Sequence, residues 1–588
     1  MRATTGIFAV IWLLVTVFGI QILNLTPANA DTNQSKVALV VGGLSNPFFV
    51  KMAAGARQYA DDHKIPIDVF GADREADVER QISIVEDLIF RGYGAIVIDP
   101  ADSTRLLPAC KRALAKHLAV IIVDTPLDPQ SLRKENVSIP FVGPDHRFGG
   151  QQIGEYVSRK LKGRGRVLVI DGACGRESSI LRKTGFIDAM AHSPHIQMVA
   201  DQRMDGCSDA VFPVAMKLLR KYNPVNAVFC TGDPAALGVL HALDILDLHH
   251  KVLVTGYDDI EAVRYEMYND RIQASVELYP ERMGRDAVRL AADAMKGLPV
   301  ALLTTTPEDV VTSDTFHKKV LFTFSSLENP FFKAMQQSAQ NMAKILGLDM
   351  TFSDTHNNDA AQLSEIRSAI QRRVDMLIVN PANSDTVAPG IDLAAQHHIP
   401  VISVDRRITE APVLCHIESD NREGGRMAAR IIVDKLKGRG NVVEIEGIPG
   451  AGVTLEREKG FSDALAAYPD IHVTDREFAG FNRDDARRVM LRLIQKKTPF
   501  DAVFAQNDIM MLGVLDALSG EKDAPSRVLV GFDGIPEALQ QIRWGRMTAT
   551  IAQKPEDMGR LAVQCAARYF RGDTIPSLLT VGIEPVTR

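Results

Sequence analysis

The 588-residue chain is one sequence written twice. Lys36-Val-Ala-Leu-Val-Val, followed by Ser45-Asn46-Pro47-Phe48-Phe49, returns as Lys319-Val-Leu-Phe-Thr-Phe, followed by Glu328-Asn329-Pro330-Phe331-Phe332. Val123-Asp124 returns as Val404-Asp405, and Lys160-Leu-Lys-Gly-Arg-Gly returns unchanged from Lys435. Gly185-Phe186 matches Gly460-Phe461, and Gly256-Tyr257-Asp258 matches Gly531-Phe532-Asp533. The spacing drifts only from 283 (Asn46 to Asn329) to 275 (Asp258 to Asp533). A period this long describes duplicated domains rather than a solenoid of short repeats.

Within each copy, short apolar runs alternate with amphipathic stretches. In the first, Val37–Val41 and 66–70 read as strands, and 48–62 and 77–91 as helices. Ala95–Ile98 and Ala119–Val123 are apolar without alternation, as strands of a parallel sheet covered on both faces are. Strands alternating with helices give a doubly wound α/β fold. A copy of about 275 residues exceeds one comfortable core, so each is expected to split into two lobes. The repeated Lys-Leu-Lys-Gly-Arg-Gly lacks the phosphate-loop pattern and precedes a strand. A helix end with basic last-turn residues and a glycine explains it.

Ligands of such sheets sit beyond the carboxyl ends of the strands, and the distinctive residues cluster there. Asn46, Phe48 and Phe49 follow the first strand, Asp124 the fourth and Asp258 a later one. The second copy repeats them as Asn329, Phe331, Phe332, Asp405 and Asp533, and adds Arg406. Carboxylates, amides and a guanidinium beside aromatic rings suit a polyhydroxylated ligand. Bidentate groups bind adjacent hydroxyls, and ring faces cover the C–H faces of a sugar.

Several function classes are excluded. Sixty-seven basic against 73 acidic side chains give a net charge of −6 and no positive field for nucleic acid. The single long apolar run, Gly6 to Leu23, excludes a polytopic membrane protein. It follows Arg2 and precedes Ala28-Asn29-Ala30, so residues 1–30 read as a secretory signal peptide, with an uncleaved anchor as the alternative. Six cysteines make no disulfide scaffold and contain no CxxC pair. A bridge between Cys174 and Cys207 is conceivable, and most of the others read as small buried hydrophobes. His249-His250 and His397-His398 are adjacent pairs, which do not share a helix face. With no zinc-spaced cluster, no metal or cofactor is expected. Asp405 and Asp533 are the carboxylates that glycosidase chemistry would need. Arg406 is expected to hold Asp405 ionised, leaving no raised-pKa acid. No enzyme is expected.

The second copy resembles the ribose-binding branch of the periplasmic sugar-binding proteins over essentially its full length. The motifs are Asn329-Pro-Phe-Phe, Val404-Asp405-Arg406, Glu456-Arg457 before Gly460-Phe461, Phe504-Ala-Gln-Asn507-Asp508, Gly531-Phe-Asp533-Gly534 and Ala549-Thr-Ile-Ala-Gln553. The resemblance implies two tandem type I periplasmic-binding modules, residues 31–314 and 315–588, each of two parallel-sheet lobes joined by a hinge. It implies that Asn329, Asp405, Arg406, Arg457, Asn507, Asp533 and Gln553 hydrogen-bond a sugar, with Phe331, Phe332 and Phe481 on its faces.

The first module keeps Asn46, Phe48, Phe49, Asp124, Arg182 and Asp258. It carries Thr125 where the family has arginine, Asp205 for an aromatic, Gly232 for asparagine and Leu278 for glutamine. Three polar partners are thereby lost. An unpaired buried polar group costs about 1–3 kcal/mol, against about 8 kcal/mol for micromolar binding. The first module is therefore expected to take a different ligand, larger or with fewer hydroxyls, or to be structural. The retained polar residues favour a changed ligand. The whole reads as an exported protein that captures a pentose or hexose and delivers it to an ABC importer. The alternative is a sensor reporting to a membrane kinase or chemoreceptor.

Overall fold

A computed structural model describes residues 36–72, 76–171, 175–204, 208–520 and 526–588. The signal-peptide reading of residues 1–30, the Cys174–Cys207 pairing and Asp205 lie outside the described residues. The chain divides into two compact units, one through Ser313 and one from Asp314.

Each unit contains two six-stranded sheets. In the first unit, one sheet runs in the order Leu303–Thr305, Phe141–Gly143, Ala119–Val123, Ala95–Ile98, Val37–Gly43 and Ile67–Ala72, all parallel. The other runs Asp309–Thr312, Ala274–Glu277, Leu253–Thr255, Ala227–Cys230, Arg164–Asp171 and His195–Arg203, with only the first pair antiparallel. The second unit repeats the plan. Its first lobe orders Asp349–Asp354, Lys319–Phe324, Met376–Val379, Val401–Val404, Cys415–Ser419 and Leu578–Val581, all parallel. Its second orders Ile471–Phe478, Gly440–Glu446, Ala502–Ala505, Val528–Asp533, Ala549–Ala552 and an antiparallel Glu584–Thr587.

Every residue of Ala95–Ile98, Ala119–Val123, Met376–Val379 and Ala502–Ala505 is buried. That is the physical meaning of their unbroken apolar runs: helices cover both faces. The chain crosses between lobes three times in each unit. In the second unit the crossings follow Ser419, Ala552 and Val581. With three connections and separate sheets, the lobes can hinge about a fixed set of short segments.

Local chemistry sets the element starts. Asn46 and Asn329 cap the helices Pro47–Asp62 and Pro330–Leu346, their side chains accepting from Phe48 N and Phe331 N at 2.9 Å, with proline at the first helical position. Both copies of Lys-Leu-Lys-Gly-Arg-Gly end a helix before a strand. The left-handed turn falls on lysine as well as glycine: φ is 55° at Lys437 and 78° at Gly438. Cys110, Cys230, Cys415 and Cys565 are free and buried. No described helix is long and apolar enough to cross a membrane.

Candidate functional site

The second unit has a cavity of about 320 Å³ of empty volume, lined by Asn329, Phe331, Phe332, Asp405, Arg406, Val453, Arg457, Phe481, Asn507, Asp533 and Gln553. All ten residues singled out in this unit by the sequence therefore converge. Asn329, Phe331, Phe332, Asp405 and Arg406 come from the first lobe. Arg457, Phe481, Asn507 and Asp533 come from the second, and Gln553 stands at a crossing. Val453 is the lining residue that sequence reasoning missed. Its place in the first turn of the helix carrying Arg457 was the available signal.

Both carboxylates sit on strained backbone at strand ends, φ 67° at Asp405 and 119° at Asp533. Non-glycine residues hold such angles only where the surroundings enforce them, which is common at binding sites. The first unit repeats the strain at Asp124 (φ 59°) and Asp258 (φ 109°).

The donors are positioned from behind. Arg406 Nη1 donates to the carbonyls of Pro381 (3.1 Å) and Ala382 (2.8 Å). Its guanidinium lies 6.0 Å from the Phe332 ring centre and 5.8 Å from that of Phe481. Arg457 donates from Nε to Asn421 Oδ1 (2.8 Å) and from Nη1 to the Gln506 carbonyl (2.5 Å), and stacks 3.8 Å over Phe532. Asn507 caps the helix Asp508–Leu518 through its side-chain oxygen, which accepts from Met510 N. The capping oxygens of Asn329 and Asn507 are thus engaged with backbone, leaving their amide N–H groups as donors to the cavity. Gln553 Nε2 donates to Asp533 Oδ1 at 2.8 Å, while Gln553 Oε1 is buried without a hydrogen-bond partner. A buried orphan acceptor in a cavity is a place for a ligand donor.

The ionisation of Asp405 corrects the sequence reading. Burial pushes its carboxyl above the usual range, outweighing Arg406, Arg457 and His416. Asp533 is pushed up to about 7, again by burial, against Arg457 and the Gln553 hydrogen bond. An arginine adjacent in sequence was expected to settle the question. In space, the full burial of both partners dominates.

In the first unit, Asn46 caps its helix, Phe48 and Phe49 pack edge to face at 5.3 Å, and Arg182 pairs with Asp258 at 2.9 Å while lying 4.0 Å over Tyr257. His146 takes the place of Asn421, its Nδ1 accepting from Arg182 Nε (3.2 Å) and its Nε2 donating to the Asp124 carbonyl (2.8 Å). Burial and Arg182 push its pKa down to about 4, consistent with a neutral ring in these roles. The expected loss of the arginine at Thr125 needs correction. Arg176, reaching in from the opposite lobe, donates through Nη2 to Thr125 Oγ1 (2.7 Å) and to Asp124 Oδ2 (3.3 Å).

Two lobes built on parallel sheets recur twice in one chain, and the periplasmic binding protein domain matches residues 37–299 and again 320–574. The chain belongs to that family. Its relatives include the ribose import binding protein of Salmonella typhimurium, 35% identical over 291 residues, covering 49% of this chain and 96% of that protein. The Bacillus subtilis ribose import binding protein is 35% identical over 265 residues, covering 45% of this chain and 85% of its own length. The D-allose-binding periplasmic protein of Escherichia coli K12 is 29% identical over 276 residues, covering 47% and 89%. Each relative thus spans about one of the two periplasmic binding domains. Membership of this family, and relatives named for binding, make the chain a binding protein rather than an enzyme.

Proposed function

We propose that the second periplasmic-binding module, residues 315–588, captures a monosaccharide between its lobes, and that the exported protein hands it to an ABC importer. One observation carries this reading: seven hydrogen-bonding residues and three phenylalanines from both lobes line a single cavity. The rings of Phe331 and Phe332 are supplied by one lobe and that of Phe481 by the other, so closure would place a flat sugar ring between aromatic faces. The carboxylates and guanidiniums would take its hydroxyls as charge-assisted pairs. Relatives named for ribose import and for D-allose binding support a pentose or hexose ligand. Residues 1–30 are proposed to direct export, and residues 31–314 to form the first module.

The test is calorimetric titration of the chain with a panel of pentoses and hexoses. One is expected to bind, and Arg406→Ala to weaken it by about 10–100-fold, the value of a hydrogen bond to a charged group. Binding of no monosaccharide, or an Arg406→Ala variant of unchanged affinity, would overturn the assignment. Loss of uptake of the same sugar in cells lacking the protein would support importer delivery. Intact uptake with a lost response to the sugar would point to a receptor.

A further inference from the structure

Three replacements in the first module belong together. Where the second has Arg406, Asn380 and Ala451, the first has Thr125, Asp99 and Arg176. Arg176 Nη2 donates to both oxygens of Asp99, at 2.9 and 3.0 Å, besides Thr125 and Asp124. Its guanidinium lies 5.7 Å from the ring centre of Phe49, much as that of Arg406 lies 6.0 Å from Phe332, the matching ring. The same acid, the same ring and a guanidinium are therefore assembled in both clefts. In the first, the arginine arrives from the other lobe and meets a buried counter-charge in Asp99.

We infer that Arg176 replaces Arg406 as the ligand-facing guanidinium of the first module, and that this cleft binds a deoxy monosaccharide, a ring without a hydroxyl on the edge facing Leu278. The inference rests on reading the second module as a sugar site and extends it to a different ligand.

The retained side of the cleft still asks for a hydroxyl. Asp124 Oδ1 is buried and accepts no hydrogen bond. The altered side does not. At Gly232, an added Cβ would meet only Asp258 Oδ2 at 3.7 Å and Pro234 Cδ at 3.9 Å, so the amide donor of Asn507 is missing there and the nearest polar atom is an acceptor. Leu278, in place of Gln553, is fully buried in the apolar cluster that includes Phe48 and Phe49. A hydroxyl placed against Leu278 loses its water without gaining a partner, whereas a methyl or methylene loses nothing.

The swap also changes when the guanidinium appears. Arg176 belongs to the lobe of Arg182, and its acceptors to the lobe of Phe49, so the contact forms only on closure. Thr125 Oγ1 to Ser178 Oγ (3.1 Å) and Glu177 N to Ser103 Oγ (2.8 Å) join the same seam.

The experiment uses the full chain carrying Arg406→Ala, which weakens the second module by about 10–100-fold, beside the wild-type chain, so that binding unaffected by Arg406→Ala is assigned to the first module. It is titrated with 2-deoxy-D-ribose, L-fucose and L-rhamnose beside their hydroxylated parents D-ribose, L-galactose and L-mannose. A deoxy sugar is expected to bind at least about 10-fold tighter than its parent. Adding Asp99→Asn with Arg176→Ala, which removes the buried charges together, is expected to cost about 10–100-fold. Adding Thr125→Arg to that pair transplants the second module's arrangement and is expected to recover most of the loss while keeping the preference for the deoxy ring. Parents binding as well as deoxy sugars, no deoxy sugar binding, or indifference to Arg176 would each overturn the inference. Failure of the wild-type chain to bind any pentose or hexose of the wider panel would instead overturn the reading of the second module.

Discussion

The affinity of the second module for its sugar is expected to fall by up to about 100-fold between pH 8 and pH 5, because of Asp533. Burial pushes this carboxyl up to about 7. In the proposed site a sugar hydroxyl would donate to the carboxylate, so binding would take the ionised form. Below pH 7 a proton must leave first, which costs about tenfold per pH unit. The charged groups around Asp533 are Arg457, Arg406, Asp405 and the buried Asp508, whose carboxyl burial and Asp533 together push well up. Asp533→Asn should bind more weakly and flatten the profile. A wild-type affinity independent of pH, or an asparagine variant with an unchanged slope, would remove Asp533 from the site. Stability of the ligand-free protein should run the other way. Asp533 and Glu444 both have folded-state values of about 7, above those of an unfolded chain. Their contribution is fully present below about pH 4 and is lost as the pH rises through 7, at about 1.4 kcal/mol per unit for each group.

Arg176→Ala should be the most destabilising of the substitutions considered, costing about 3–5 kcal/mol, the usual result of stripping one partner from a buried ion pair. Asp99 is fully buried and takes two hydrogen bonds from that guanidinium. Without it, a buried carboxylate loses two hydrogen bonds and the counter-charge that Arg176 supplies. Scanning calorimetry should show a transition moving down while the other stays in place. Asp99→Asn combined with Arg176→Ala should cost distinctly less than the single change. Equal losses would mean that Asp99 is hydrated in solution and the bridge is open.

Much of the site was legible because each of its residues is announced by neighbours close in sequence. Asn329 comes with a proline at a helix start, Asp405 and Asp533 close apolar strands, and Arg457 lies on the helix leading to Gly460-Phe461. Strand ends and helix starts are local events, and a doubly wound sheet brings them to one rim whatever the details of packing. Arg176 announces itself in no such way. It is a helix-capping position with no capping side-chain bond, and its partners lie 77 and 51 residues away.

The duplication, the α/β alternation, the lobed modules and the ten residues around the second cavity were determined by the sequence alone, since periodicity and strand-end chemistry are short-range. Tertiary structure alone decided two things. It raised Asp405 and Asp533, because desolvation sums over every element packed around a group and overrides one adjacent arginine. It also returned a guanidinium to the first cleft from the opposite lobe, because lobes that meet across a hinge bring together residues that no local pattern connects.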